Sequence, residues 1–204
     1  VNLIPYGAVW TRKELDSHLL ETASQSGAKI YYESEVLPEF ADNKVIGVTS
    51  GSEKWKADLV VAASGAPGKV ARMLGTERKK DEPYGIAIRT YVESPRHLDE
   101  YLEASLAMRD AHGTPIPGYG WMFPTGNGTV NLGVGALSTM KGFRKLNLNT
   151  LCDIYRDSIA DEWEVGPYLE KPRAWRLPMT SQKRHGDGWV CLLYTSDAAD
   201  DLTR

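Results

Sequence analysis

Three aromatic side chains recur at every second position in one glycine-rich stretch. Tyr119, Trp121 and Phe123 lie in PGYGWMFPTGNGTVNLGVG, residues 117–135, and Pro124 follows them directly. Strand side chains alternate between two faces, so the three rings are predicted to share one face. They could belong to the hydrophobic core, since each aromatic side chain buries roughly 150–250 Å². They could equally form one wall of a pocket for a large apolar ligand.

A second stretch with potential chemistry is VVAASGAPGKVAR, residues 60–72, where a glycine turn separates an apolar run from a short helical pattern. A strand that ends just before a helix begins presents free backbone N–H groups, which bind anions. The same spacing also fits an ordinary connection between a strand and a helix. Both interpretations stay open on the spacing alone.

The first part of the chain contains the elements that would position this turn. Thr11 and Glu14 form a capping box, leucines at helical spacing follow, and Gly27 is suited to end the helix. Strand patterns come next, at residues 29–40, 44–50 and 54–64. The last includes LVVAA, a continuous apolar run typical of a strand buried on both faces. This order predicts part of an α/β nucleotide-binding unit.

From about residue 80 the pattern becomes that of an antiparallel sheet covered by a helix. YGIAIRTYVES alternates as a long strand, and Gly126-Asn127-Gly128 is a strong hairpin signal. The segment 97–110, HLDEYLEASLAMRD, fits a strand and a helix equally well. The segment 146–163, LNLNTLCDIYRDSIADEW, predicts an amphipathic helix. Its inward positions are Leu148, Leu151, Ile154, Tyr155 and Ile159.

The predicted fold class is therefore α/β (α+β mixed), a partial Rossmann-like domain with an inserted antiparallel-sheet domain. The domains are predicted at 1–79 for the first, 80–178 for the inserted sheet and 179–190 for a return to the first. Residues 191–204, CLLYTSDAADDLTR, run from an apolar strand into a patternless polar segment, which we interpret as a non-native tail. Because the chain also starts inside a folded pattern, we interpret it as an internal fragment.

Composition excludes several classes of protein. The 204 residues carry a formal net charge of −3 without a basic cluster, so no nucleic-acid partner is expected. No apolar run approaches the roughly 18–20 residues of a membrane span. Cys152 and Cys191 are far apart, which argues against a disulfide or zinc framework and makes a reducing cytoplasm the default. The four histidines lack partners at ligand spacing, so no metal is expected.

The aromatic stretch resembles the Tyr-x-Trp-x-Phe-Pro motif of the geranylgeranyl reductase family, FAD-dependent oxidoreductases with a p-hydroxybenzoate hydroxylase type of fold. The matches are Tyr119, Trp121, Phe123, Pro124, Gly128, Asn131 and Gly133. The resemblance is greatest to actinobacterial members thought to reduce a menaquinone side chain. It implies that the first four matched residues line the cavity where a polyprenyl chain meets the flavin. Strand glycines are interpreted as leaving room for a flat ring or a long chain. They are Gly118, Gly120, Gly133 and Gly135.

The same resemblance implies that the turn after residue 63 belongs to an FAD site. The family signature is Asp-Gly-x-x-Ser-x-x-x-Arg, and here Gly65 and Arg72 match it. Ser64 replaces the aspartate and Gly68 replaces the serine. The lost carboxylate puts its hydrogen bonds to the cofactor in doubt, and with them efficient reduction by a nicotinamide.

Two further contacts with FAD follow from the resemblance. Arg12, followed by Leu15 and Asp16, matches a second family landmark, and its guanidinium would pair with phosphate or ribose oxygens. The alternative is a solvated arginine in the first turn of a helix. The backbone near Val36 would contact the adenine.

The implied function is FAD-dependent reduction of C=C bonds in a polyprenyl substrate, either a geranylgeranyl group or a menaquinone side chain. NAD(P)H and ferredoxin are both open as electron donors, and no side chain is assigned as catalytic. The protein would be cytoplasmic, with peripheral contact at the inner face of the membrane. The alternatives are a flavin-dependent aromatic monooxygenase and an inactive truncated flavoprotein. Because the Gly-x-Gly-x-x-Gly turn and the Gly-Asp-Ala motif of the family are missing, this chain alone is expected to be inactive.

Overall fold

The computed structural model describes residues 9–65, 68–179 and 183–192. The chain forms two compact units, each built from two stretches of sequence. The first unit combines Val1–Ile30 with Ile86–Trp175, and the second combines Tyr31–Gly85 with Arg176–Arg204. The domain boundaries given by the sequence patterns stay predictions. Of the expected non-native tail, residues 193–204 lie outside the described residues.

The chain contains both helices and strands, as expected for the mixed class. The α-helices are α1 (Arg12–Gln25), α2 (Lys69–Leu74) and α3 (Leu148–Trp163), and short 3-10 helices span Pro95–Leu98 and Phe143–Lys145. The strands are β1 (Leu37–Ala41), β2 (Lys44–Ser50), β3 (Glu53–Lys56), β4 (Val60–Ala62), β5 (Tyr84–Glu93), β6 (Glu103–Ser105), β7 (Gly118–Pro124), β8 (Thr129–Leu137), β9 (Arg173–Pro178), β10 (His185–Gly186) and β11 (Trp189–Cys191).

Helix α1 begins at the predicted capping box. The Thr11 hydroxyl accepts a hydrogen bond from the backbone N–H of Glu14 and donates one to its carboxylate, at 3.4 and 2.7 Å. This pair satisfies an N–H group that a helix start otherwise leaves free. Gly27 follows the helix with a φ of +95°, a conformation that glycine adopts without steric cost. The predicted helix is confirmed.

The predicted hairpin is formed by β7 and β8, in a five-stranded sheet with the order β6-β7-β8-β5-β9. The pair is antiparallel, from Gly118 opposite Ala136 to Pro124 opposite Val130. In the turn, the Asn127 side-chain oxygen accepts hydrogen bonds from the hydroxyls on either side of it. The strong hairpin signal is therefore confirmed.

Helix α3 covers one face of this hairpin and closes the main hydrophobic core. Met122, Leu132 and Val134 are completely buried on that face. The ring of Tyr155 lies so close to Gly120 that a Cβ there would come within 2.6 Å of it. The side chain of Asn147 caps the helix by accepting from two backbone N–H groups. The predicted amphipathic helix is confirmed, and its inward face packs on the sheet.

The second unit contains two small sheets and α2. Strands β1, β2 and β3 form an antiparallel sheet in that order. In the other sheet, β11 pairs in parallel with β4 and antiparallel with β10. Its core consists of Val45, Ala62, Leu74, Trp189 and Cys191.

Three predictions of local structure were wrong. The strand expected at 29–40 is formed only from Leu37 onward, and the strand expected at 54–64 divides into β3 and β4, which belong to different sheets. Leu59 and Val61 are more than half exposed, so LVVAA is not buried on both faces. Within the described residues, β4 lies at the edge of its sheet, so it has a neighbouring strand on one side only.

The ambiguous segment 97–110 forms neither an α-helix nor a long strand. Its first two residues end a short 3-10 helix, Pro95–Leu98, and three others form β6, the edge strand next to β7. Leu98, Leu102 and Leu106 of this segment are between 60% and 80% exposed.

The buried Tyr155 hydroxyl gives a testable pH dependence. It has no hydrogen-bond partner among the described residues, and burial, with the nearby charges of Glu103 and Glu162, raises the pKa of Tyr155 above its usual value of about 10. The unfolded chain releases this proton near pH 10 while the folded chain keeps it. The free energy of unfolding therefore falls as the pH rises above about 10.

We expect Tyr155→Phe to make this alkaline loss of stability shallower, because phenylalanine has no proton to release. At neutral pH the variant should be at least as stable as the parent chain, since it removes a buried hydroxyl without a partner. Urea unfolding at neutral pH and at several values above about pH 10 measures both effects. If the free energy of unfolding fell equally steeply with pH in the two proteins, the raised pKa of Tyr155 would be contradicted.

Candidate functional site

The three aromatic rings of β7 lie on the sheet face opposite to α3. In the strand register, Tyr119 faces Gly135, Trp121 faces Gly133 and Phe123 faces Asn131, while the residues between them point to the α3 core. The ring centroids are 5.5 Å apart for Tyr119 and Trp121, and 6.0 Å apart for Trp121 and Phe123. Trp121 is only 8% exposed, whereas Tyr119 is 45% exposed. The rings thus form a continuous second face, separate from the main core.

The interpretation of the strand glycines as room for a ligand is wrong at three of the four positions. A Cβ at Gly133 would overlap the Trp121 ring, one at Gly120 would overlap Tyr155, and one at Gly118 would overlap the carbonyl of Gly135. The protein's own atoms fill these spaces. Only at Gly135 would a Cβ meet ordinary contacts, at 3.6 Å or more.

A hydrogen bond across the hairpin fixes the most buried of the three rings. The indole Nε1–H of Trp121 donates to the side-chain oxygen of Asn131 at 2.9 Å. Because the same ring also packs flat on Gly133, both its position and its rotation are determined. Pro124, the fourth predicted residue of the wall, is buried and faces the α3 side of the sheet, opposite Val130.

Within the first unit, residues of α1 and of the β7–β8 hairpin border a broadly open cavity of about 600 Å³. Phe123 and Asn131 contribute from the hairpin. The other described lining residues are Val9, Trp10, Leu15, His18 and Leu102. The rings of Trp10 and His18 meet edge to face, with centroids 5.8 Å apart.

Sequence reasoning gave His18 no role and did not single out Trp10 or Leu102. Leu15 and His18 are three residues apart on α1, a spacing that places two side chains on one helix face. That spacing was the available signal. It could not show that this face meets the aromatic strand rather than solvent.

The residues predicted to contact FAD are divided between the two units. Arg12 belongs to the first unit, and its guanidinium forms two hydrogen bonds of 3.0 Å with the carboxylate of Asp16. Val36, Ser64, Gly65 and Arg72 belong to the second unit. An exposed ion pair of this kind contributes at most about 1 kcal/mol, so Arg12 can exchange Asp16 for another anion.

The turn after β4 fits the edge of a cofactor site. Ser64 and Gly65 are exposed at the carboxyl end of a strand that has a parallel neighbour, where α/β sheets bind cofactors. Gly65 has a φ of +71° with open space around it, so its backbone is accessible. Arg72 on α2 is exposed and pairs with Glu77 at 3.2 Å. Residues 66–67 of the turn lie outside the described residues.

Among the described residues, no group of three or more His, Cys, Asp or Glu side chains could hold a metal ion. No helix in the described ranges is long and apolar enough to cross a membrane.

Two curated proteins show what this chain is related to. It is 36% identical to the menaquinone reductase of Mycolicibacterium smegmatis over 167 residues, which cover 80% of this chain and 40% of that protein. It is 30% identical to the digeranylgeranylglycerophospholipid reductase of Methanocella arvoryzae over 175 residues, which cover 80% of this chain and 41% of that protein. The chain belongs to the geranylgeranyl reductase family of FAD-dependent oxidoreductases. The family resemblance inferred from the motifs is thereby confirmed. The chain spans about two fifths of the length of these relatives.

Solved structures confirm the fold class. A geranylgeranyl bacteriochlorophyll reductase-like protein from Thermoplasma acidophilum superposes with a TM-score of 0.68 at 19% identity, covering 89% of this chain and 46% of that one. A triple mutant of the flavin-dependent brominase Bmp2 gives the same TM-score at 16% identity, and the match covers 90% of this chain and 48% of that one. No family model matches the chain.

Gly133 provides a test of the aromatic face. We expect Gly133→Ala to lower the free energy of unfolding by about 1–3 kcal/mol, because the added methyl group displaces Trp121. Gly135→Ala is the matched control, on the same strand and face, and should cost less than about 1 kcal/mol because its Cβ has space. Urea unfolding followed by tryptophan fluorescence measures both. Equal losses in the two variants would show that Trp121 does not pack on Gly133.

Proposed function

We propose that this chain carries the substrate wall of an FAD-dependent oxidoreductase that reduces C=C bonds of a polyprenyl group, geranylgeranyl or a menaquinone side chain. The observation that carries the proposal is the aromatic face of Tyr119, Trp121 and Phe123, which lies outside the α3 core and whose Phe123 lines an open cavity. A face of this kind binds a long apolar chain by removing its surface from water, at roughly 25 cal/mol per Å². The reductases named above support the assignment to polyprenyl lipids.

Reduction of an isolated C=C bond adds a hydride to one carbon and a proton to the other. Reduced FAD would supply the hydride, and this chain would orient the prenyl group and exclude water. Phe123 lines the cavity, and the buried Trp121 ring packed beside it is held by Gly133 and Asn131, so it supports the wall from behind. Tyr119, with its partly exposed ring, shapes one end of that surface.

The cofactor residues remain those implied by the family motifs. Arg12, Val36, Ser64, Gly65 and Arg72 would lie at the FAD, and the fit of the turn after β4 supports this for Ser64 and Gly65. NAD(P)H and ferredoxin are both compatible electron donors.

Contact with a membrane surface is the third part of the proposal. Leu98, Tyr101, Leu102 and Leu106 are each at least 60% exposed and flank the edge strand β6 of the first unit. Exposed apolar side chains that cluster in one segment mark sites of interaction. They support a cytoplasmic protein that collects its lipid substrate at the inner face of the membrane.

The second candidate is a flavin-dependent oxidation that uses O₂, as in an aromatic monooxygenase. The structural likeness to the brominase Bmp2 supports this second candidate, because the same fold can host both oxidation and reduction by a flavin. Anaerobic turnover separates the two candidates, since only the reductase works without oxygen.

We expect the holoenzyme that contains this chain to add two hydrogens to each reduced bond of a polyprenyl quinone without oxygen, as measured by mass spectrometry. Phe123→Ala should raise the KM for this substrate about tenfold, because the lost ring contact corresponds to 1–2 kcal/mol. Phe40→Ala, which removes a partly exposed ring from β1 in the second unit, is the matched control. Product formed only in the presence of O₂ would contradict the proposal and favour the monooxygenase.

A separate prediction concerns Ser64. We expect the purified chain to retain little FAD, and Ser64→Asp to increase retention because it restores the carboxylate of the family signature. Ser52→Asp adds the same charge at an exposed position of the second unit and should have no effect. Flavin absorbance after gel filtration measures the bound fraction. Stoichiometric FAD on the unmodified chain would refute the expected loss, and no gain in Ser64→Asp would favour the inactive flavoprotein.

A further inference from the structure

Asn131 is a polar side chain in a cavity whose walls are mostly apolar. Valine, leucine, tryptophan and phenylalanine side chains supply most of the described lining, and His18 adds an imidazole. None of the described lining residues is a lysine or an arginine. The Asn131 side chain is partly buried, so a ligand that covers it must replace the water at any amide group without a protein partner.

The orientation of the Asn131 amide follows from hydrogen-bond chemistry. The indole nitrogen of Trp121 is only a donor, so the atom that faces it at 2.9 Å must be the oxygen Oδ1. The amide nitrogen Nδ2, with its two N–H groups, therefore points away from the indole. It makes no hydrogen bond to any residue in the described part of the chain.

Trp121 holds this orientation firmly. Its ring is buried, packs on Gly133 and lies between the rings of Tyr119 and Phe123. The amide is consequently fixed before any ligand arrives, which lowers the entropy lost on binding.

We propose that Nδ2 of Asn131 donates a hydrogen bond to a carbonyl oxygen of a flat conjugated ring bound in this cavity. This inference rests on the proposed function and adds a residue that selects the ligand. A neutral donor among apolar and aromatic side chains suits a carbonyl on an apolar ring, whereas an anionic group would lack a lysine or arginine to pair with. Two ligands carry such a carbonyl: the quinone ring of a lipid substrate and the isoalloxazine ring of a flavin.

Asn131→Asp is the sharpest test, because it keeps the oxygen that accepts from Trp121 and replaces only the donor. The probes are 2-methyl-1,4-naphthoquinone and 2-methylnaphthalene, which differ in the two carbonyl oxygens. Isothermal titration of each probe into the full chain gives the ratio of the two affinities. Comparing ratios removes the general effect of a new charge near an apolar ligand.

We expect the unmodified chain to prefer the quinone, and Asn131→Asp to lower that preference about fivefold to tenfold, as for one hydrogen bond. Trp121→Phe should lower it less, because the amide remains but is free to rotate. Asn127→Asp makes the same substitution in the hairpin turn, outside the described cavity lining, and should leave the ratio unchanged.

Lumiflavin, titrated in the same way, identifies the source of the carbonyl. Weaker lumiflavin binding in Asn131→Asp with an unchanged quinone ratio would assign the contact to the flavin. An unchanged ratio together with unchanged lumiflavin affinity would overturn the inference, and so would the absence of binding by both carbonyl rings.

The inference and the proposed function can fail separately. Anaerobic turnover that depends on Phe123, together with no effect of Asn131→Asp, would leave the reductase intact and remove the role of Asn131. Loss of the quinone preference in Asn131→Asp, together with no polyprenyl reduction by the holoenzyme, would support the role of Asn131 and contradict the proposed reductase.

Discussion

Two large rings pack over glycines of the β7–β8 hairpin, one ring on each face of the hairpin. On one face Tyr155 from α3 occupies the space over Gly120, and on the other Trp121 occupies the space over Gly133. Both contacts need a position without a side chain, since a methyl group at either glycine would overlap a ring. The helix can therefore close the core on one side while the opposite side carries an ordered aromatic surface. The direction of the Asn131 amide follows from the position of Trp121, which donates to its oxygen.

The same arrangement explains why a binding surface can exist without weakening the fold. The main core lies between the sheet and α3, and its central side chains are completely buried. The aromatic face contributes little to that core, so it is available for a ligand. Trp121 is the exception, because it is buried, hydrogen-bonded and part of the ligand face at the same time. We expect it to combine stability with binding, whereas Tyr119 is exposed and contributes mainly to the shape of the surface.

Fold and chemistry are separate questions for this chain. A reductase-like protein and a brominase superpose on it equally well, so the architecture alone does not select a reaction. The residues of the aromatic face and the relatives at 30% and 36% identity are what support the proposed prenyl reduction. The residues implied at the cofactor lie in two units, and the turn after β4 is the part whose local geometry fits that role.

The sequence by itself determined the elements that depend on local chemistry. The capping box at Thr11, the glycine-rich turn near Asn127 and the apolar stripe of α3 each specify their own structure through neighbouring residues. Period-two alternation also placed Tyr119, Trp121 and Phe123 on one face. Only the tertiary structure decided that this face lies away from α3, that Trp121 itself fills the space over Gly133, and that Val61 of β4 is exposed. Those outcomes depend on which distant segment packs on each surface, and alternation within a strand carries no information about its partners.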